Sequence, residues 1–157
     1  MTRQWWWQMR LRPHHLLDII TQYGQGHPFE PSPYGHAVHT VARLVLADQT
    51  QLAEMVVGAD AICAPCRNLV DDRCTDTVGS LTPPVSKQEY NDGVDRRVLA
   101  HLGLTEGEVL TIAAFAERTL ERLEGLEQVC SHPGEEPTAR LRHLRQGLQK
   151  MGLHPGR

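Results

Sequence analysis

A chain of 157 residues, 40% hydrophobic and 22% charged, has the size and composition of one globular domain, and folding at that length buries roughly 70% of the surface the extended chain exposes. A net charge of -3 and a pI near 6.3 give no electrostatic attraction toward nucleic acid or an anionic membrane, so neither is expected as a partner. No stretch approaches the ~20 apolar residues of a membrane span; a cytoplasmic location is expected, where thiols stay reduced and four cysteines favour metal or redox chemistry over disulfides.

Trp5, Trp6 and Trp7 stand ahead of Met9 in a segment unlike the rest of the chain. Residues 1–8 therefore read as an N-terminal extension, and 9–157 as a single metal-binding domain. Pro13 suits the first turn of a helix, where its missing N–H is no loss, and residues 14–23 continue that helix until Gly24. Gly24, Gly26, Pro28, Pro31, Pro33 and Gly35 make the next stretch a loop. Apolar residues at helical spacing, with Val38, Ala42 and Leu46 on one line, predict a second helix over 36–47. Residues 52–57 end in two valines before Gly58 and suit a short strand, either paired with a segment around residues 7–11 or left as extended chain. Residues 59–84 hold three cysteines, several prolines and several aspartates, and read as an irregular loop built around something. Ser86 and Glu89 have the spacing of a capping box, predicting a third helix to His101 that stops at Gly103. Thr111 caps a fourth over 112–123, and a fifth covers 138–151. On that last helix Arg140, Arg142, Arg145 and Lys150 read as a solvated face. The expected fold is mainly α, about five helices with at most a minor β element, packed around the cysteine-bearing loop.

Cys63-Ala64-Pro65-Cys66 is a C-x2-C turn, which directs two sulfurs toward one centre, and Cys74 and Cys130 can supply a third and a fourth. Iron–sulfur clusters tolerate irregular spacing with one remote ligand. Structural zinc accepts four cysteines but more often uses two regular knuckles. A thioredoxin-like dithiol needs a long helix directly after the motif, where Asp71, Asp72 and Cys74 intervene. Spacing alone leaves iron and zinc nearly level.

His14 and Asp18 are i,i+4 neighbours on the first helix beside His15, and His36 and His39 are i,i+3 neighbours at the start of the second. Such pairs suit a divalent metal or acid–base work, against the simpler reading of ordinary surface histidines in a chain that has nine. Lys87, Glu89, Tyr90, Asn91 and Asp95 open the third helix; Glu89 is explained by capping and most of the others by solvation. Tyr90 and Asn91 stand out, because a helix N-terminus facing a cleft favours anions. The Pro33-Tyr34-Gly35 loop could cover such a cleft.

Three segments carry a resemblance: Leu11-Arg12-Pro13-His14-His15-Leu16-Leu17, Ile62-Cys63-Ala64-Pro65-Cys66 and Asp95-Arg96-Arg97-Val98-Leu99. Over residues 10–130 the chain resembles a small bacterial and archaeal family of unknown function, suspected to bind iron–sulfur clusters. The resemblance moves the balance to an iron–sulfur cluster, 4Fe-4S by type, for which the spacing offers Cys63, Cys66, Cys74 and Cys130, with zinc the alternative cofactor. Many relatives carry cysteine where this chain has Asp18, so the fourth ligand lies between Cys130 and Asp18, or an iron is left open. The expected function is cluster binding for redox or structural use, with a redox partner or a small-molecule ligand. The alternatives are an enzyme whose open or Asp-ligated cluster acts as a Lewis acid while His14, His15, His36 or His39 moves protons, and a zinc-binding structural protein.

Overall fold

The computed structural model describes residues 9–130 and 135–154. The tryptophan segment, and the residues that directly follow Cys130, lie outside the described residues. The chain is mainly α with minor β structure: strand β1 (Met9–Leu11) leads into α1 (Pro13–Gln25), then α2 (Val38–Ala47) and β2 (Leu52–Met55). After the loop come α3 (Lys87–Leu102), β7 (Val109–Thr111), α4 (Ile112–Glu121), α5 (Leu126–Val129) and α6 (Pro137–Lys150). The extra helix relative to expectation is α5, a single turn too short to show a period.

β2 is the strand expected near residue 52, and β1 is the partner sought upstream: they run parallel, with Leu11 opposite Met55. β7, which sequence patterning did not mark, pairs antiparallel on the other edge of β2. Its last residue also caps α4, since the Thr111 hydroxyl accepts a hydrogen bond from the Ala114 amide at 3.0 Å. Ser86 caps α3 in the same way, accepting from the Glu89 amide at 3.3 Å. Only that half of the capping box forms, because Ser86 is also the last residue of a strand and pairs with Thr77.

The core gathers Leu16, Leu17, Ile19 and Ile20 of α1, Val98 and Leu102 of α3, Phe115 of α4 and Leu148 of α6, each at most 1% exposed. α1 and α6 make the most extensive helix contact. Two glycines permit it. A Cβ on Gly24 would stand 1.9 Å from the His143 carbonyl oxygen, and one on Gly147 would stand 1.9 Å from that of Ile20. Gly24 is therefore no helix stop. It lies inside α1, which runs on to a left-handed cap at Gly26. The expected end at Gly24 fails because the residue serves close packing rather than a turn.

The loop 59–84 has little core of its own. It holds two short hairpins, β3 (Leu69–Val70) with β4 (Arg73–Cys74) and β5 (Thr77–Val78) with β6 (Val85–Ser86). Asp71 and Asp72, at φ 51° and 62°, turn the first of them; a two-residue hairpin turn of this hand needs positive φ at both positions, and aspartate tolerates it. No helix among the described residues is long and apolar enough to cross a membrane.

Candidate metal centre

A cavity of about 410 Å³ lies between the loop 59–84, the first turns of α1 and α3, and the side chains of Cys130 and Arg140. All four cysteines line it, and all four are free thiols. His14, His15, Asp18 and His36 line it as well. His39 is not among the lining residues. α2 begins at Val38 rather than at His36, so His36 stays in the preceding loop against the cavity while His39 lies on the helix itself.

The wall is built outward from Arg12, the N-cap of α1. Its guanidinium is 2% exposed and donates from Nη1 to Asp95 at 2.7 Å and to Asp92 at 2.9 Å. A buried cation survives only with such paired anions. Asp95, fully buried on α3, also accepts the His14 backbone N–H at 2.9 Å and bonds its Nδ1 at 2.8 Å. Pro13 contributes no N–H at the start of α1, and the free amide of His14 is spent on this carboxylate.

Asp60 does the same for the cysteine turn. One oxygen accepts from the amides of Ile62 and Cys63, both at 3.1 Å. The other accepts from the Arg12 amide and from His15 Nδ1, both at 2.8 Å. Burial works to raise the Asp60 pKa, but His15 and these donors outweigh it and hold the carboxyl far below its usual range. The imidazole of His15 is desolvated too, yet Asp60 lifts its pKa above the ordinary value. His15, Asp60 and Cys63 place ligand atoms within 4.8 Å of one another, a grouping that could hold a metal. Four N–H donors already saturate Asp60, so its natural place is behind His15 and Cys63 rather than on the metal.

Cys74 is tied to the same scaffold by a longer route. Its amide donates to Gln88 Oε1 at 2.8 Å, and Gln88 Nε2 donates to Asp92 at 3.1 Å, the carboxylate that also holds Arg12. A continuous polar chain thus runs from Cys74 through Gln88, Asp92, Arg12 and Asp95 to His14. Since a carboxylate only accepts, Nδ1 is the protonated nitrogen of both His14 and His15, and Nε2 is the atom left for a ligand. The two rings lie 4.4 Å apart, centroid to centroid.

On the far side Arg140 leaves the solvated face expected for it. Its side chain is 10% exposed and pairs with Asp18 and, at 3.0 Å, with Glu135. Its Nε donates to the Cys130 carbonyl at 3.1 Å, and Nη2 lies 3.5 Å from Cys130 Sγ. Burial raises the Asp18 pKa, but Arg140 pulls it below the normal carboxylate value. Burial raises the Cys63 thiol to about 12, helped by Asp60, and the Cys130 thiol to about 11, helped by Asp18. Arg140 beside Cys130 does not offset burial and Asp18, so both sulfurs stay protonated until a metal displaces the proton.

Sequence reasoning missed Arg12, Asp60, Asp92 and Gln88, and set Asp95 aside as solvated. The one available signal was Arg12 at the start of a helix between Leu11 and Pro13, since an arginine buried there needs acids from elsewhere in the chain. No curated protein and no solved structure matches the chain. Residues 33–133 match the family described as "Protein of unknown function (DUF1284)", and because that match spans more than half of the sequence the chain belongs to this family.

Proposed function

We propose that the protein binds an iron–sulfur cluster on Cys63, Cys66 and Cys74, with Cys130 as the fourth ligand. The observation that carries this reading is the convergence of all four cysteines, free and from three separate segments, on one cavity. A tetrahedral zinc site, with Zn–S near 2.3 Å, holds its sulfurs roughly 3.8 Å apart. Among the described residues no three cysteine sulfurs draw together to within 4.8 Å; the one compact group is His15, Asp60 and Cys63. Sulfurs spread around a cavity suit a multi-iron centre better than a single ion. Asp18 is the weaker fourth ligand, because its carboxylate is already engaged by Arg140. Bound there, a cluster supplies one-electron transfer.

The test is the iron, sulfide and zinc content of anaerobically purified protein. Brown protein with acid-labile sulfide and broad absorption near about 400 nm is expected; colourless protein with stoichiometric zinc overturns the reading. Electron paramagnetic resonance of the reduced protein then separates the ligands. Cys130→Ala should destroy or convert the signal and Asp18→Ala should leave the cluster in place.

A second reading, an enzyme acting on a small molecule beside the cluster, is favoured by one further observation. Each of two cavity histidines is backed by a buried carboxylate on Nδ1, the arrangement that holds an imidazole in a single tautomer for proton transfer. His14→Gln and His15→Gln should then keep their iron while abolishing turnover.

A further inference from the structure

The most deeply buried polar side chains of this protein have partners: Asp60, Gln88, Asp95 and Thr119 all make hydrogen bonds. The buried side-chain atoms without a partner among the described residues are Arg12 Nε and His36 Nδ1, both on residues of the cavity wall, and His39 Nδ1 and Glu127 Oε2, which lie elsewhere. His14 is 8% exposed, and neither its Nε2 nor that of His15 has a partner among the described residues. The Tyr90 hydroxyl and the Asn91 amide, on the same wall, make no hydrogen bond among the described residues either. Polar groups that line a cavity with no protein partner are free to bind a ligand, and several on one surface suit a polar one.

The charge on this wall says which kind. Lys87 lines the cavity at the start of the 16-residue helix α3, with Tyr90 and Asn91 on the next turn. The amides of Lys87 and Glu89 are already used by Asp76 and Ser86, so the side chains must do the gripping, with the helix dipole in support. The other two cations of the wall, both guanidinium groups, are neutralised internally, Arg12 by Asp92 and Asp95 and Arg140 by Asp18 and Glu135. Among the described residues Lys87 has only Asp76, at 3.6 Å with both side chains substantially exposed, a weak contact that a competing anion can replace.

We infer that this wall binds a small carboxylate, its oxygens taken by the Lys87 ammonium, the Tyr90 hydroxyl and the Asn91 amide, with the rest of the molecule against Nε2 of His14 and His15. A cavity of about 410 Å³ shared with four cysteines limits the molecule to a few carbon atoms. The inference deepens the second reading above and rests on it for what happens to the ligand after binding. The binding step itself draws only on groups that the cysteines leave unused.

The probe is 13C-labelled acetate, the smallest member of the class, followed by its NMR line width with protein purified anaerobically, with iron assayed on every sample. Saturable broadening is expected. It should weaken roughly tenfold in Lys87→Ala and Asn91→Ala and be retained in Lys87→Arg, with iron content unchanged throughout. No saturable broadening, or broadening equally strong in Lys87→Ala, overturns the inference. Broadening that depends on Lys87 in protein that holds no iron upholds the carboxylate site while overturning the cluster. Iron-loaded protein without broadening does the reverse.

Discussion

The two regions that enclose the cavity are ordered by opposite means. On one side α1 and α6 press together through Gly24 and Gly147, with an apolar interior that would hold without any ligand. On the other side the loop 59–84 contributes Ile62 as its one fully buried apolar residue and is shaped by two short hairpins and by hydrogen bonds to Asp60 and Gln88. What a cofactor would add to the first region is little; the second depends on its ties. A site that must open to admit a metal is better placed on such a loop than on the helix pair, because local opening then costs less than global unfolding.

The sharpest way to break this division is to remove the joint between the regions. Asp95→Ala leaves Arg12 in the interior with Asp92 as its only anion and frees the ring of His14. A loss of about 3–5 kcal/mol is expected from breaking a buried ion pair on one side, measured by urea unfolding. Asp95→Asn, which keeps the volume, should lose less. A result within 1 kcal/mol (about the scale of a surface change) would show the two regions to be independent.

The helix side should respond to volume and not to metal. Gly147→Ala places a methyl group on the Ile20 carbonyl, and a loss of about 3 kcal/mol, the upper end for overpacking, is expected equally with and without iron. The loop side should respond to metal and not to volume. Chelation, or Cys63→Ala, should open residues 59–84 to protease while α1 and α6 stay protected from hydrogen exchange, since binding energy at such a site is ordering energy. Equal protection of the loop before and after chelation would remove the distinction.

Acid and base should act through the Asp60–His15 pair. The Asp60 pKa lies below its unfolded value near 3.9 and that of His15 above its unfolded value near 6.5. The carboxylate's contribution is complete above about pH 4 and lost as pH falls below it; the imidazolium's is complete below about pH 6.5 and lost as pH rises through the raised pKa. Stability should therefore be greatest between those limits, with the pair contributing about 2 kcal/mol. Asp60→Asn should flatten both limbs of the unfolding free energy measured against pH. The smallest effect is expected at the seam: Ser86→Ala removes the cap of α3 where the second hairpin enters it, at about 1 kcal/mol.

The helices were legible because they are amphipathic over several turns and begin at marked caps. α3 starts after Ser86 and α4 after Thr111, as expected, and the strand near residue 52 has its partner upstream. What escaped notice shares a cause. Gly24 looks like a helix stop by local propensity, but its real constraint is the distant backbone of His143. Arg140 sits on a helix face with the spacing of a solvated stripe, and Asp18, from the other end of the chain, turns it inward. His36 and His39 have the spacing of a pair, but the helix starts between them.

From its residues alone this chain declares a mainly α fold with a minor β element, a cysteine-bearing loop, and a histidine-rich first helix, because periodicity, caps and the C-x2-C turn are properties of neighbouring residues. Only the tertiary structure decided that all four cysteines face one cavity, that Asp60 and Asp95 stand behind His15 and His14, and that Arg12 is the point where the histidine helix and the Cys74 hairpin are joined. Those are pairings of buried charges across distant segments. A charge on a sequence carries no mark of its partner, and its burial becomes favourable only once the fold has brought that partner within hydrogen-bonding distance.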